Sequence, residues 1–442
     1  MKHSLVVPGQ AAGDARELFR DAGLERGADG LLRLGGVSLE AVLRDVGSPA
    51  YVYHADAIRD RYRAIEAAFA GIPHRVHYAV KSNGSLAVLK ILKDLGAGAD
   101  IVSGGELRRA TRVGFDPKMI VFSGVGKTDA ELEAAIGFRV GSINIESAEE
   151  LSALERIVGR RSVEYPIRLG IRVNPDVAAA THPYITTGAG GIKFGVPAEQ
   201  VAGLARRIAG NPRFSLVSLA MHLGSQLLDP APFAAGAVKL VTLIDEIVAQ
   251  GIRSIEAVDV GGGLGIRYRD EIPLDPGQLA AVLAPVISGR GLVLHLEPGR
   301  FLTGSAGVLL TKVLYRKRSG GKDFVIVDAS MTDLVRPSHY HAYHEITEVA
   351  ARGRPVETVD VVGPVCETGD FLALDRPLPS VEPGESLAIL CAGAYGFVMA
   401  SNYNTRPRAP EVLIDRGRFG VSRVRETLED LLQGETDNPF HR

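Results

Sequence analysis

Five places in this chain have residue types and surroundings that could do chemistry. Lys81 lies in His77-Tyr78-Ala79-Val80-Lys81-Ser82-Asn83 and ends a short apolar run that reads as a buried strand. A lysine facing a cavity there loses water unless something pairs with it, and desolvation lowers its pKa and frees the amine lone pair. Such an amine suits condensation with a carbonyl; the plain alternative is a solvated lysine after a strand. His222, in Met221-His222-Leu223-Gly224-Ser225-Gln226, can stack on a flat ring or fill a core. Gly261-Gly262-Gly263 exposes backbone N–H groups with no side chains in the way, which makes a phosphate cradle or a flexible loop. Glu297, in Glu297-Pro298-Gly299-Arg300, could keep a ring nitrogen protonated or pair with a surface cation. Cys366 opens the polar stretch Cys366-Glu367-Thr368-Gly369-Asp370. A thiol of pKa about 8.5 can release a proton near neutral pH, although most free cysteines pack as small hydrophobes. Cys391 lies in an apolar run and reads as structural.

Something must bring these residues together. The candidate strands are Arg75–Val80, Ala99–Val102, Met119–Phe122, Ser142–Ile145, Pro166–Val173, Leu216–Met221, Ile255–Val260 and Gly291–Leu296. Helical patterns lie between them: Ser85–Leu95, Glu106–Val113, Asp129–Ile136, Ala148–Ile157, Pro197–Ile208, Pro232–Ala249 and Pro276–Ile287. Strand–helix alternation argues for a parallel sheet, and eight strands predict an α/β fold with a closed (β/α)8 barrel of the TIM type. An open doubly wound sheet is the alternative; no G-x-G-x-x-G turn follows the first strand. In a barrel the residues just past each strand meet at one mouth. In order these are Lys81, Ser103-Gly104-Gly105, Ser123-Gly124, Glu146-Ser147, Asn174-Pro175, His222, Gly261-Gly262-Gly263 and Glu297.

After Arg300 the pattern changes. Val308–Tyr315, Asp323–Asp328, Thr358–Val362, Ser386–Ala392 and Glu411–Ile414 look like strands separated by proline and glycine, a second and mainly β domain. The expected division is a barrel over 54–313, a β domain of 30–53 plus 314–442 that carries the Cys366 loop, and an N-terminal extension over 1–29, in which Asp14–Ala22 could form a short helix.

The 442 residues carry a net charge of -2 with no basic block, so nucleic acid is not an expected partner. Nothing approaches the roughly 18 apolar residues of a membrane span, and the N-terminus lacks the apolar stretch of a secretory signal. Two cysteines make no disulfide framework and fit a reducing cytoplasm, and no Cys/His cluster has metal-ligand spacing. Lysine, phosphate cradle, carboxylate and stacking imidazole at one barrel mouth together make a site for pyridoxal 5'-phosphate (PLP).

The chain resembles the fold-type III PLP-dependent decarboxylases of amino acids, and within them the branch acting on diaminopimelate. The likeness rests on YAVKSN at 78–83, DIVSGGEL at 100–107, NIES at 144–147, RVNP at 172–175, HPYITTG at 182–188, KFG at 193–195, HLGSQ at 222–226, GGGLGI at 261–266, EPGR at 297–300, DLVRPSHYHAYH at 333–344, CETGD at 366–370, AGAYGF at 392–397 and NYNTRPR at 402–408. The resemblance implies that Lys81 holds PLP and that His222 stacks on its ring. Ser225, Gly262, Gly263 and Tyr395 would help hold the phosphate, Glu297 would face the pyridine nitrogen, and Gly299 and Arg300 would line the cofactor site. For substrate it implies meso-diaminopimelate, whose second amino acid end needs opposite charges far from the ring. Arg300 and Arg336 would take the carboxylate, Glu367 the ammonium, and Tyr340 and Tyr395 would add hydrogen bonds. Cys366 would protonate the carbanion, in a homodimer whose two active sites are shared because this loop enters the partner's barrel. The segment His182-Pro183-Tyr184-Ile185 with Thr186, Thr187 and Gly188 resembles a specificity element, and Gly188 to Gly191 suggest a mobile cover. Decarboxylation of another basic amino acid or a carboxylated polyamine stays open, as does a barrel holding some other phosphorylated ligand.

Overall fold

The computed structural model describes residues 15–160, 163–177 and 192–437. Eight parallel strands form a closed ring: β1 (His74–Ala79), β2 (Gly98–Ile101), β3 (Ile120–Phe122), β4 (Ser142–Ile145), β5 (Ile167–Asn174), β6 (Phe214–Ala220), β7 (Ala257–Asp259) and β8 (Val293–Leu296). β8 pairs back onto β1, with Leu296 opposite Val76, so no edge remains open. The open-sheet alternative is thereby excluded. The strands are buried on both faces, which is why they read as unbroken apolar runs rather than alternating ones. Glycines make room inside: a Cβ at Gly170 would lie 2.1 Å from Asn144 Oδ1 and 2.6 Å from Ser218 Oγ.

Local signals set the outer helices. Thr128 and Glu131 form a reciprocal cap on Asp129–Phe138, and Asp275 with Gln278 does the same for Pro276–Ile287. One helix escapes the strand-then-helix reading. After β8 there is only the short helix Arg300–Thr303, and Ala55–Ala68, which precedes β1, packs between Leu86–Asp94 and Pro276–Ile287. It buries Ile58, Tyr62 and Ile65 on one face and fills the eighth place in the outer ring. The chain thus starts its barrel with the helix that closes it.

The second sheet is built around the long strand Gly307–Ser319. It runs antiparallel to Ala50–His54, to Lys322–Val327 and to Ser386–Ile389. Ala50–His54 lies parallel to Glu411–Asp415, and Lys322–Val327 parallel to Val356–Val362. Val356–Val362 pairs with Phe371–Pro379, a strand absent from the sequence reading. Its prolines, Pro377 and Pro379, hide it as a strand, and it sits at the sheet edge where a missing N–H is tolerated. Three short strands, Leu24–Arg26, Leu32–Leu34 and Val37–Ser38, form a separate small sheet after the helix Ala15–Ala22.

Candidate active site

Lys81 sits in a single 3-10 turn, Val80–Ser82, directly after β1. Asp100 on β2 is in register with Ala79, fully buried, and its Oδ2 accepts from Lys81 Nζ at 2.7 Å. The lysine side chain is still 32 % exposed and lines a cavity. Burial alone pulls this amine down, but the carboxylates of Asp100 and then Glu297 outweigh it and hold Lys81 above its ordinary value. This corrects the expectation of a lowered lysine. The cause is an acid in the middle of an apolar strand, which a solvated-lysine or desolvated-lysine reading both leave out.

Two more carboxylates close the group. Glu297 follows β8 and Asp259 ends β7; both are buried and they share a hydrogen bond. Burial, with Asp100 and Asp259 as like charges, pushes Glu297 well above the carboxylate range; burial also lifts Asp259 to about 6. Oε1 of Glu297 is buried with no hydrogen-bond partner among the described residues. Glu106, at the first turn after β2, is lifted to about 7, again mainly by burial.

His222 follows β6, and its Nδ1 accepts the Gly262 N–H at 3.2 Å. The proton is therefore on Nε2. Burial, with Lys81 and Arg172 as like charges, keeps the imidazole neutral. The Gly261 N–H goes to Asp259 Oδ1 at 2.8 Å. Two of the three glycine N–H groups thus turn inward, and the triplet is not a row of free donors. Its glycines serve close approach instead: a Cβ at Gly262 would lie 2.0 Å from the Glu297 carbonyl, and Gly263 has φ +112°. A Cβ at Gly299 would press on Ser82 at 3.0 Å.

Arg300 begins the short helix after β8 and is buried. It donates to Ser225 Oγ through Nη2 at 3.0 Å, lies 4.8 Å from the Tyr395 ring centroid and meets the hydroxyl of Tyr268. Arg336 lies 5.0 Å from the Tyr268 ring and 5.8 Å from that of Tyr340. Arg300, Arg336, Tyr268 and Tyr340 line one cavity of about 170 Å3. Among the described residues neither guanidinium pairs with a carboxylate. Lys81 opens on another cavity, of about 370 Å3, with Glu106, Arg109 and Glu411.

Cys366 and Glu367 are exposed. Their loop is anchored from below: Asp370 accepts the N–H of Met331 at 2.6 Å and of Val365 at 2.7 Å, and Asn404 Oδ1 accepts that of Cys366 at 2.8 Å. Within one chain, no hydrogen bond among the described residues joins Cys366 or Glu367 to Lys81, Arg300 or Arg336. Cys391 is buried, as expected of a structural cysteine. The segment 182–191 lies outside the described residues. The strand leading to it is fixed by Glu146, which binds Arg172 Nη1 at 2.9 Å and the Gly195 N–H at 3.0 Å. Asp100, Asp259 and Tyr268 are the residues that reasoning from the sequence missed. An acid within an apolar barrel strand was the available signal for the first two; Tyr268 had none.

A buried carboxylate oxygen in want of a donor, a lysine amine whose charge it feels and a glycine turn that brings backbone close suit a flat, anionic, electron-accepting aldehyde. The chain belongs to the pyridoxal-dependent decarboxylases: the model of that family's pyridoxal-binding domain matches residues 55–304. Within the family it is similar to diaminopimelate decarboxylases. It is 46% identical to that of Pseudomonas aeruginosa over 401 residues, covering 91% of this chain and 96% of the relative. The corresponding figures for the Aquifex aeolicus protein are 44%, 411 residues, 92% and 96%. The diaminopimelate decarboxylase of Helicobacter pylori, solved in complex with L-lysine, superposes with a TM-score of 0.85 at 39% identity, covering 89% of this chain and 98% of that one. The cofactor is PLP.

Proposed function

We propose that this chain decarboxylates meso-2,6-diaminopimelate to L-lysine and carbon dioxide, as the last step of lysine biosynthesis. One observation carries the substrate reading beyond the similarity to named relatives: Arg300 and Arg336 are buried at one cavity and neither pairs with a carboxylate among the described residues, while the acid lining that cavity, Glu271, is engaged by the backbone N–H groups of Tyr268 and Arg269. A substrate with a carboxylate at its far end supplies the missing charge, and bidentate pairing gives it a fixed direction. A basic amino acid or diamine without that group leaves two cations buried and unpaired.

PLP, when bound, withdraws electrons from the carbon whose carboxylate leaves. The residues of the chain do the rest. Lys81 would supply the amine that holds the cofactor, and Asp100 Oδ2, which accepts from its Nζ, would orient it. Glu297, which shares a hydrogen bond with Asp259, would serve the ring nitrogen, and His222, its Nδ1 tied to Gly262, would stack on the ring. Ser225, Gly262, Gly263, Gly299, Arg300 and Tyr395 would hold the phosphate. Arg300, Arg336, Tyr340 and Tyr395 bind the distal end of the substrate. Cys366 and Glu367 act across a dimer interface, the partner's Cys366 delivering a proton to carbon and the partner's Glu367 receiving the distal ammonium. The exposure of both residues within one chain supports this sharing. The working division is a barrel over 54–313 and a β domain of 30–53 plus 314–442, acting in the cytoplasm.

The test is product analysis with PLP and meso-diaminopimelate. Wild type should release equal amounts of carbon dioxide and L-lysine, and Lys81→Ala neither. Equal release by both proteins, or faster release from L-ornithine or L-lysine, would refute the reading.

A further inference from the structure

Behind Arg336 lies a layer that the roles above do not use. Arg336 Nε–H points to His344 Nε2 at 3.3 Å, and the other ring nitrogen of His344 lies 2.8 Å from the Leu390 carbonyl oxygen. A carbonyl can only accept, so Nδ1 carries the proton and Nε2 offers a lone pair. His344 is fully buried, and Arg376 ties down its backbone by donating to the His344 carbonyl at 2.7 Å. Tyr268 completes the layer. Its ring meets His344 edge-on with centroids 5.3 Å apart, lies under Arg336 at 5.0 Å and under Arg300 at 5.7 Å, and its hydroxyl meets Arg300 Nη1.

We propose that His344, with Tyr268 beside it, is a positioning residue that aims Arg336 at the distal carboxylate of the substrate through a neutral acceptor. The choice of acceptor decides the outcome. A carboxylate at this place would orient the guanidinium as well, but it would cancel the charge that the substrate must find. A neutral imidazole fixes the plane of Arg336 and leaves its whole charge free. The surroundings keep it neutral: burial first, then Arg336, Arg376 and Arg300 as like charges, hold His344 down at about 3, and the Tyr268 ring faces it edge-on. The inference rests on the substrate reading above, and it deepens that reading by naming what sets the preference for a second carboxylate.

L-lysine keeps the distal carboxylate of the substrate and cadaverine lacks it, so the ratio of their affinities reads the proposed contact. The probes are L-lysine and cadaverine, titrated against the cofactor absorbance of the holoenzyme. Wild type should favour L-lysine. His344→Leu should weaken L-lysine by about ten- to hundredfold, the size of one charge-assisted contact, with cadaverine and PLP binding unchanged. In turnover the same variant should raise KM far more than it lowers kcat. His344→Gln, which restores a neutral acceptor, should recover most of the ratio. Equal losses for L-lysine and cadaverine, loss of PLP from both variants, or an unchanged ratio in His344→Leu would each overturn the proposal. Wild type that fails to decarboxylate meso-diaminopimelate overturns the substrate reading instead, so the two failures are distinguishable.

Discussion

On the barrel wall, Lys81, Asp100, Asp259 and Glu297 hold one another within a single chain, all packed at the ends of β1, β2, β7 and β8. On the loop at 366–370, Cys366 and Glu367 face solvent, although Asp370 anchors the loop with two backbone hydrogen bonds. The wall can hold a cofactor within one chain; in the function proposed above the loop serves a second subunit. The difference teaches where the protein places its chemistry. Groups whose protonation the surroundings must set sit in the barrel, where desolvation and neighbouring charges govern their titration. Groups that must reach a substrate sit on a rigid loop that a neighbour can receive.

The comparison breaks most sharply at its two ends. Lys81→Ala should lower turnover by roughly 10,000-fold or more, read as carbon dioxide release from the PLP-loaded enzyme. Cys366→Ala should bind PLP normally and lose about 100- to 1,000-fold in kcat, the range of one general acid. Mixing these two inactive proteins sharpens the contrast. Shared sites in a two-fold dimer predict recovery to about a quarter of wild-type activity after subunit exchange, since half the dimers are mixed and each carries one intact site. No recovery despite mixed dimers would mean that the loop serves its own barrel.

Glu297→Gln should keep PLP but cost about tenfold to hundredfold in kcat, because a neutral amide replaces the carboxylate at the ring nitrogen. The smallest effect concerns His77, deep in the barrel, whose ring lies 4.6 Å from that of His295. Burial depresses His77 to about 4 from its ordinary 6.5. The unfolded chain therefore binds this proton before the folded one does, and the stability it confers is lost as pH falls from 6.5 towards 4. The linkage slope is at most about 1.4 kcal/mol per pH unit. Nearby acids with raised values, such as Glu106, act in the opposite sense, so the clean measurement is a difference. The melting temperature of His77→Asn relative to wild type should rise across this window and stay level above pH 7.

Much of this contrast was legible in the chain itself. Strand endings placed Lys81, His222, the glycine turn and Glu297 at one mouth because a barrel sends every strand end to the same rim. The exposed, polar character of the 366–370 stretch was equally plain, since runs of polar residues seldom pack inside. The hidden parts share one cause, which is dependence on partners distant in sequence. Asp100 gains its meaning only from Lys81 one strand away, and its presence reversed the expected direction of the lysine titration. His344 is a sequence-level histidine among several in DLVRPSHYHAYH; only the Leu390 carbonyl behind it fixes which nitrogen faces Arg336. The helix Ala55–Ala68 precedes the strand it serves, so alternation in chain order could not place it.

The most direct measurement of the central claim is borohydride reduction of the PLP-loaded protein followed by peptide mass mapping. The expected result is one pyridoxyl group per chain, on the peptide containing Lys81, with the yellow absorbance lost in step and no label in Lys81→Ala. Label on a different lysine, or a cofactor that washes away unreduced from active enzyme, would contradict it.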